Sequence, residues 1–243
     1  MLGLLLLQVL ASCLCLGHSK VVENFKNVCT QFFYAKTAPD FGRYPQKAAR
    51  ICQYYENDYR FATLYDRNRR IPLYSAYIYN PGNGTRSPSW FVEPQLINKS
   101  YIDSMDEESS IIQMYHINLT IIGKNQAIDN DYKNLNNLDR GHLNPSGHQP
   151  DNQSSWATFT LTNIVPQNRP LNQNAWRNYE ETTMSQRTRD CDITYVLTGA
   201  VPGNTTVPSG RVNIPSHIWS AACCLQNKKP KSAWGAIAKN DQD

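Results

Sequence analysis

Asp139, Arg140, Gly141 and His142 form one tetrapeptide, and Asn172 and Glu180 stand downstream in the polar stretch LNQNAWRNYE that follows Pro170. Histidine is the side chain that is neutral and basic near pH 7, so His142 can take a proton from water. Arg140, just before it, can grip a phosphate with its planar fork. Gly141 removes a Cβ between the two and permits close approach of backbone or ligand, and Asp139 can orient a neighbouring amide or water. If the second stretch is helical, Asn172, Trp176 and Glu180 recur at i, i+4, i+8 and share one ridge. An amide carbonyl supplemented by waters suits Mg²⁺, a hard ion that keeps much of its hydration shell, and Glu180 can hold those waters without ligating the metal. Taken together these groups point to a phosphodiester-cleaving centre. Taken singly, each has a plainer reading: a turn with a surface ion pair, a helix N-cap at Asn172, a solvated Glu180.

The elements that position this window read as strands on both sides of a polar helix. Residues 54–66 alternate and are expected as one strand, and Arg67-Asn68-Arg69-Arg70 as a solvated basic turn. IPLYSAYIYN (71–80) is the clearest strand and ends in the turn Asn80-Pro81-Gly82-Asn83-Gly84. Beyond that turn Arg86 stands where it could reach over a pocket. Residues 114–122 are expected as a further strand, with His116 structural. A short β-like run at 160–165 precedes the helix, and His148, in a Gly-His-Gln-Pro setting, reads as loop. Strands follow at 192–200 and 214–225, Lys228, Lys229 and Lys231 read as a basic turn, and a last strand begins near Trp234. With no repeat, low-complexity tract or linker, the chain reads as one α+β domain.

Composition allows this reading. Hydrophobic residues are 40% and charged residues 18%, an ordinary folded-protein balance that excludes a disordered chain. A net charge of +4 permits a polyanionic partner without requiring one. Met1 to Gly17 is an uncharged leucine-rich run too short to span a bilayer. It reads as a secretory signal peptide (1–17), with a buried N-terminal helix as the alternative. No later stretch reads as a transmembrane helix, so an exported protein without stable membrane association is expected. Of the seven cysteines, Cys13 and Cys15 fall in that leader. None of the others has CxxC spacing, which argues against zinc. In an oxidising compartment two disulfides and one spare thiol are expected, Cys29 with Cys52 and Cys191 with either Cys223 or Cys224. N-x-[ST] triplets at Asn83, Asn98, Asn118, Asn152 and Asn204 fit a glycosylated surface.

DRGH followed by TNIVPQ and LNQNAWRNYE resembles the DNA/RNA non-specific endonucleases of the ββα-metal (His-Me finger) type. The motif pair is specific, and a looser similarity runs over about 65–225. The resemblance implies a mostly antiparallel sheet with flanking helices. It makes His142 the general base, Asn172 the single direct protein ligand to Mg²⁺ (Mn²⁺ or another divalent ion as substitutes), and Glu180 the organiser of metal-bound water. Arg140 matches the motif arginine beside the phosphate, Arg86 an arginine that stabilises the transition state, and Asn163 a polar site residue grouped with Asp139 as substrate-contacting or supporting. It implies a secreted enzyme that cuts DNA and RNA with little sequence preference, leaving 5′-phosphate and 3′-hydroxyl ends. Because the family continues with a further strand and helix, a domain over 18–243 cut short at its C-terminal end is expected. The alternative function is a catalytically weak extracellular glycoprotein that binds nucleic acid on the same fold.

Overall fold

The structure, a computed structural model, describes residues 21–42 and 44–241; the leader expected at 1–17 lies outside them. Its strands, in chain order, are β1 (Val21–Val22), β2 (Ala48–Tyr55), β3 (Asp58–Asp66), β4 (Ile71–Ile78), β5 (Phe91–Val92), β6 (Asp106–Glu107), β7 (Leu138–His142), β8 (Ile164–Asn168), β9 (Ile193–Val201), β10 (Thr205–Thr206), β11 (Asn213–Ile214), β12 (His217–Gln226) and β13 (Lys229–Lys239). A seven-stranded sheet runs β1-β2-β3-β4-β9-β12-β13, and every neighbouring pair in it is antiparallel. The expected α+β class with a mostly antiparallel sheet is what the chain adopts.

Both faces of the sheet are covered. On one, Leu64, Tyr74 and Ala76 pack against Phe25, Phe32 and Phe33, and the Cys29–Cys52 disulfide ties that N-terminal segment to β2. On the other, Tyr77, Val196 and Ala222 meet Phe159 and Met184, while Ile71, Ala200 and Ile218 meet Leu143, Ile164 and Trp176. These partners all come from the excursion that leaves β4 and returns at β9. The site is built on that excursion.

A buried polar seam fixes where the excursion sits. Gln53 Nε2 donates to Thr162 Oγ1 at 2.9 Å and Ser75 Oγ donates to Asn163 Oδ1 at 2.8 Å. Hydrogen bonds leaving a sheet face into otherwise apolar packing specify one register, because a slip would strand them unpaired.

Several local expectations change. Residues 54–66 are not one strand: β2 and β3 form a hairpin across Glu56 and Asn57, both at positive φ. Residues 114–122 instead close one helix, Glu108–Tyr115, and form a second, Leu119–Ile122, with a break at 116–118 between them. Helical spacing buries Ile111 and Ile122, and Asn118 caps the second helix by accepting from Ile121 N. Lys229 and Lys231 belong to β13, the turn before it being Asn227–Lys228 at positive φ. Cys191 pairs with Cys224, leaving Cys223 free. Successive residues of β12 face opposite sides of the sheet, so only one of the adjacent pair can reach Cys191.

Candidate active site

β7 and β8 form a two-stranded antiparallel hairpin in which His142 stands opposite Ile164 and Asp139 opposite Gln167. Gly141 is required there for a reason other than ligand approach. A Cβ on it would lie 2.6 Å from the Gln167 Cβ and closer still to its amide oxygen. The chain then turns into one helix over 169–187. Asn168 caps its start by accepting from Leu171 N at 3.1 Å, and Arg169 N donates to Asn137 O. Two stretches, Asn172–Trp176 and Tyr179–Thr183, have π-type hydrogen bonding, a form that recurs at functional sites. Trp176 is buried on this helix and roots it in the core.

Hairpin, helix and the loop after β4 enclose a cleft of about 990 Å³. Of the residues singled out in the sequence, Arg86, Asp139, Arg140, His142, Asn172 and Glu180 all line it. Asn163 does not, and this corrects the expectation that it could meet substrate. It is fully buried, accepting from Ser75 and Asn144 N and donating to the carbonyls of Asn144 and Thr158. With all four valences used inside the fold, it holds the turn that follows His142 and has nothing left for a ligand.

Asp139 sets the orientation of Asn172. Its Oδ2 accepts from Asn172 Nδ2 at 3.1 Å and Gln173 Nε2 at 2.9 Å, and its Oδ1 from Arg169 Nε at 2.9 Å. Burial opposes its charge, but these donors outweigh burial and hold the carboxyl below the usual carboxylate range. An ionised carboxylate only accepts, so the amide nitrogen of Asn172 must face it and the oxygen must face away.

His142 is neutral. Burial, then the nearby Arg86 guanidinium, push it down to about 3, against a favourable contact with the Arg140 carbonyl. Its Nε2 is shielded and has no hydrogen-bond partner. The Phe159 ring meets it edge-on at 4.8 Å between centroids, and Trp90 lies at 5.7 Å. Arg86 stacks over Phe159 at 5.2 Å and makes no ion pair among the described residues. Arg140 is more committed than the sequence implied. Its Nη1 donates to Asp129 Oδ1 at 2.7 Å, and its plane lies 4.6 Å from the Trp90 ring centroid and 5.5 Å from that of Tyr132.

Glu180 is pushed up to about 8, chiefly by burial and further by Glu181; the Trp176 indole opposes this, although its nitrogen makes no hydrogen bond. No three His, Cys, Asp or Glu side chains among the described residues cluster as ligands would. A cation at this cleft would therefore rest on the Asn172 oxygen and on water. The residues fit such an ion: a fixed neutral oxygen and a half-buried carboxyl that gains stability from nearby positive charge.

His148 is the residue that sequence reasoning missed. It lines the cleft and is buried, bonded through one ring nitrogen to Tyr77 and through the other to the Glu180 carbonyl. Its loop-like flanks carried no signal of this. Trp90, packed between Arg140 and His142, was likewise not singled out.

Two antiparallel strands, the first ending in a neutral histidine and the second leading directly into a helix that presents an oriented asparagine, make the arrangement of the ββα-metal class of nucleases. The sequence agrees: the chain belongs to the DNA/RNA non-specific endonuclease family, whose model matches residues 43–242. It is similar to the endonuclease domain-containing 1 protein of Homo sapiens, 35% identical over 222 residues (88% of this chain, 42% of that protein). Mitochondrial endonuclease G of Bos taurus is 34% identical over 123 residues, 47% of this chain and 37% of that one. The chain thus spans about two-fifths of the length of the curated relatives it matches. Among solved structures it is similar to a chain of the EndoG/EndoGI complex, with TM-score 0.50 and 18% identity over 78% of this chain and 75% of that one. That likeness concerns the fold.

Proposed function

We propose that this chain is a divalent-metal-dependent endonuclease, Mg²⁺ being the natural ion. On this reading it hydrolyses phosphodiester bonds of DNA and RNA outside the cell with little sequence preference. The observation that supports the reading is the convergence of His142, Asn172, Glu180 and Arg86 on one cleft, with Asn172 held by Asp139 so that its oxygen is the atom left to bind.

His142, neutral and lining the cleft, takes a proton from the attacking water. Arg86, exposed and free of ion pairs, stabilises negative charge growing on the non-bridging phosphoryl oxygens. Arg140, tied to Asp129, contributes a fixed positive wall. Asn172 would hold the cation, with Glu180 bonding its waters. When bound, that ion supplies Lewis-acid stabilisation of the charge developing on the leaving 3′ oxygen. Attack in line with that oxygen leaves a 5′ phosphate and a 3′ hydroxyl. Contacts of this kind read phosphate and sugar, so binding weakens with salt and varies little with sequence. The two disulfides support an oxidising compartment.

Digestion of plasmid and of total RNA, with Mg²⁺ and with chelator, tests the reading. Wild type cuts both with Mg²⁺ and neither with chelator, while His142→Ala cuts neither. A His142→Ala protein as active as wild type would sink the mechanism, and a wild type that binds DNA without cutting it would favour the binding-protein alternative.

A further inference from the structure

His148 lies in the short turn Ser146–His148, between the two walls of the cleft. Its carbonyl accepts from Asn80 N at 3.0 Å, and the next carbonyl, of Gln149, accepts from Gly82 N at 3.0 Å. A Cβ on Gly82 would collide with the Pro150 backbone, so this loop is seated against 148–150 without slack. The loop leads into Arg86. The His148 ring points the other way: Nε2 lies 3.0 Å from the Glu180 carbonyl and Nδ1 lies 3.0 Å from the Tyr77 hydroxyl. A carbonyl only accepts, so Nε2 carries the hydrogen, Nδ1 accepts, and Tyr77 donates. Tyr77 is anchored in β4 and its oxygen lies 3.4 Å from Thr198 Oγ1 of β9. Both ring nitrogens are therefore spent inside the fold, leaving His148 no capacity for substrate or metal.

The Glu180 carbonyl sits within the π-type stretch Tyr179–Thr183, where the ordinary helical ladder is displaced. We propose that His148 is the positioning residue that clamps this turn, setting where the Glu180 side chain stands relative to the Arg86 loop. The inference rests on the nuclease reading of the cleft. The central sheet holds Tyr77, Tyr77 fixes the His148 tautomer, His148 holds the helix by its ring and the Arg86 loop by its backbone. Each link is a single directed hydrogen bond.

The test compares His148→Phe, which keeps the backbone links and removes the ring donor, with His148→Gln, whose amide can present an N–H toward Glu180. Hydrogen–deuterium exchange without metal is read over 172–187 and over 80–86, and kcat and KM are measured on plasmid DNA with Mg²⁺. In His148→Phe exchange rises over the helix but not over 80–86, and kcat falls about tenfold or more with KM within about twofold. His148→Gln recovers most of both. Unchanged helix exchange in His148→Phe, or a His148→Gln protein as impaired as His148→Phe, overturns the clamp. If His148→Phe does not fold, Tyr77→Phe decides: faster exchange over the helix supports the clamp, and unchanged exchange overturns it. A wild type that makes no cuts removes the nuclease reading, and the exchange arm still decides the clamp.

Discussion

Asn172 donates its side-chain N–H to Asp139 at 3.1 Å, and that bond decides which end of the asparagine faces the cleft. Without it the carboxamide could turn and present its nitrogen, which repels a cation. On the proposed reading Asp139 therefore acts on the cation through Asn172 and needs no contact of its own.

Replacing Asp139 with Ala should leave the hairpin folded but release Asn172, Gln173 and Arg169 together. The rate of plasmid cleavage is expected to fall about ten- to a hundredfold at fixed Mg²⁺, the usual cost of losing a group that orients a metal ligand. Part of the loss should return at higher Mg²⁺. A Mg²⁺ titration of the cleavage rate checks this, and an unchanged half-saturation point would contradict the orienting role.

His142 should be the residue without which chemistry stops. Ala in its place is expected to lower kcat by about 10²–10⁴. Because burial and Arg86 push its ring down to about 3, it stays neutral through the ordinary working range, and its acid limb lies well below neutral pH. Removing the Arg86 charge favours the protonated ring, so in Arg86→Ala that limb moves to higher pH. A pH–rate profile of the two proteins reads the shift directly. A limb that stays put would mean that Arg86 does not act on His142.

Glu180 and the buried histidines pull stability in opposite directions with pH. Glu180 stands at about 8 in the fold against an ordinary 4.5. Its contribution is thus complete below the ordinary value and is lost as pH rises through about 8. His148, at about 4 against 6.5, contributes fully above the ordinary value and loses that contribution as pH falls toward about 4. Glu180→Gln should cut more slowly than wild type with Mg²⁺ and yet, in chelator, melt higher than wild type. The gain should grow from pH 6 to pH 9 and reach on the order of a few kcal/mol at most, since the carboxyl is partly exposed. Thermal melts across that range measure it, and a gain independent of pH would remove the assignment to Glu180.

The parts of this site that were legible in the sequence are those carried by local order. His142 closes the tetrapeptide that forms the end of β7, and Asn172 and Glu180 lie on one helix, so their types and spacing were readable from local sequence. The parts that were not legible depend on contacts from far along the chain. Asn163 looks like a site residue until Ser75 and Asn144 are seen to use its amide. Arg140 looks free for phosphate until Asp129 is found against it. His148 looks like loop because Tyr77 and Glu180, which give it meaning, arrive only with the fold. Residues 114–122 show the same limit on a smaller scale: short apolar runs do not separate strand from helix.

Cys223 should be the one titratable thiol among the five cysteines of the described residues. Cys191–Cys224 closes a separation of 33 residues and Cys29–Cys52 one of 23. By loop-closure entropy each constrains the unfolded chain by about 3–4 kcal/mol. The two losses should differ in location. Opening Cys29–Cys52 frees the segment carrying Phe25, Phe32 and Phe33 from the outer face of the sheet, remote from the cleft. Opening Cys191–Cys224 loosens the point where the site helix hands the chain to β9, because Cys191 N bonds back to Thr188 at the helix end. Cys191→Ala should therefore lower both the melting temperature and the cleavage rate, whereas Cys29→Ala should lower chiefly the melting temperature. Alkylation of unreduced protein followed by mass spectrometry counts the thiols, and more than one label would refute the pairing. Melting curves and cleavage rates of the two variants, measured below both transitions, separate global from local loss. A Cys191→Ala protein that cuts as fast as wild type would show that the helix end is held without its disulfide.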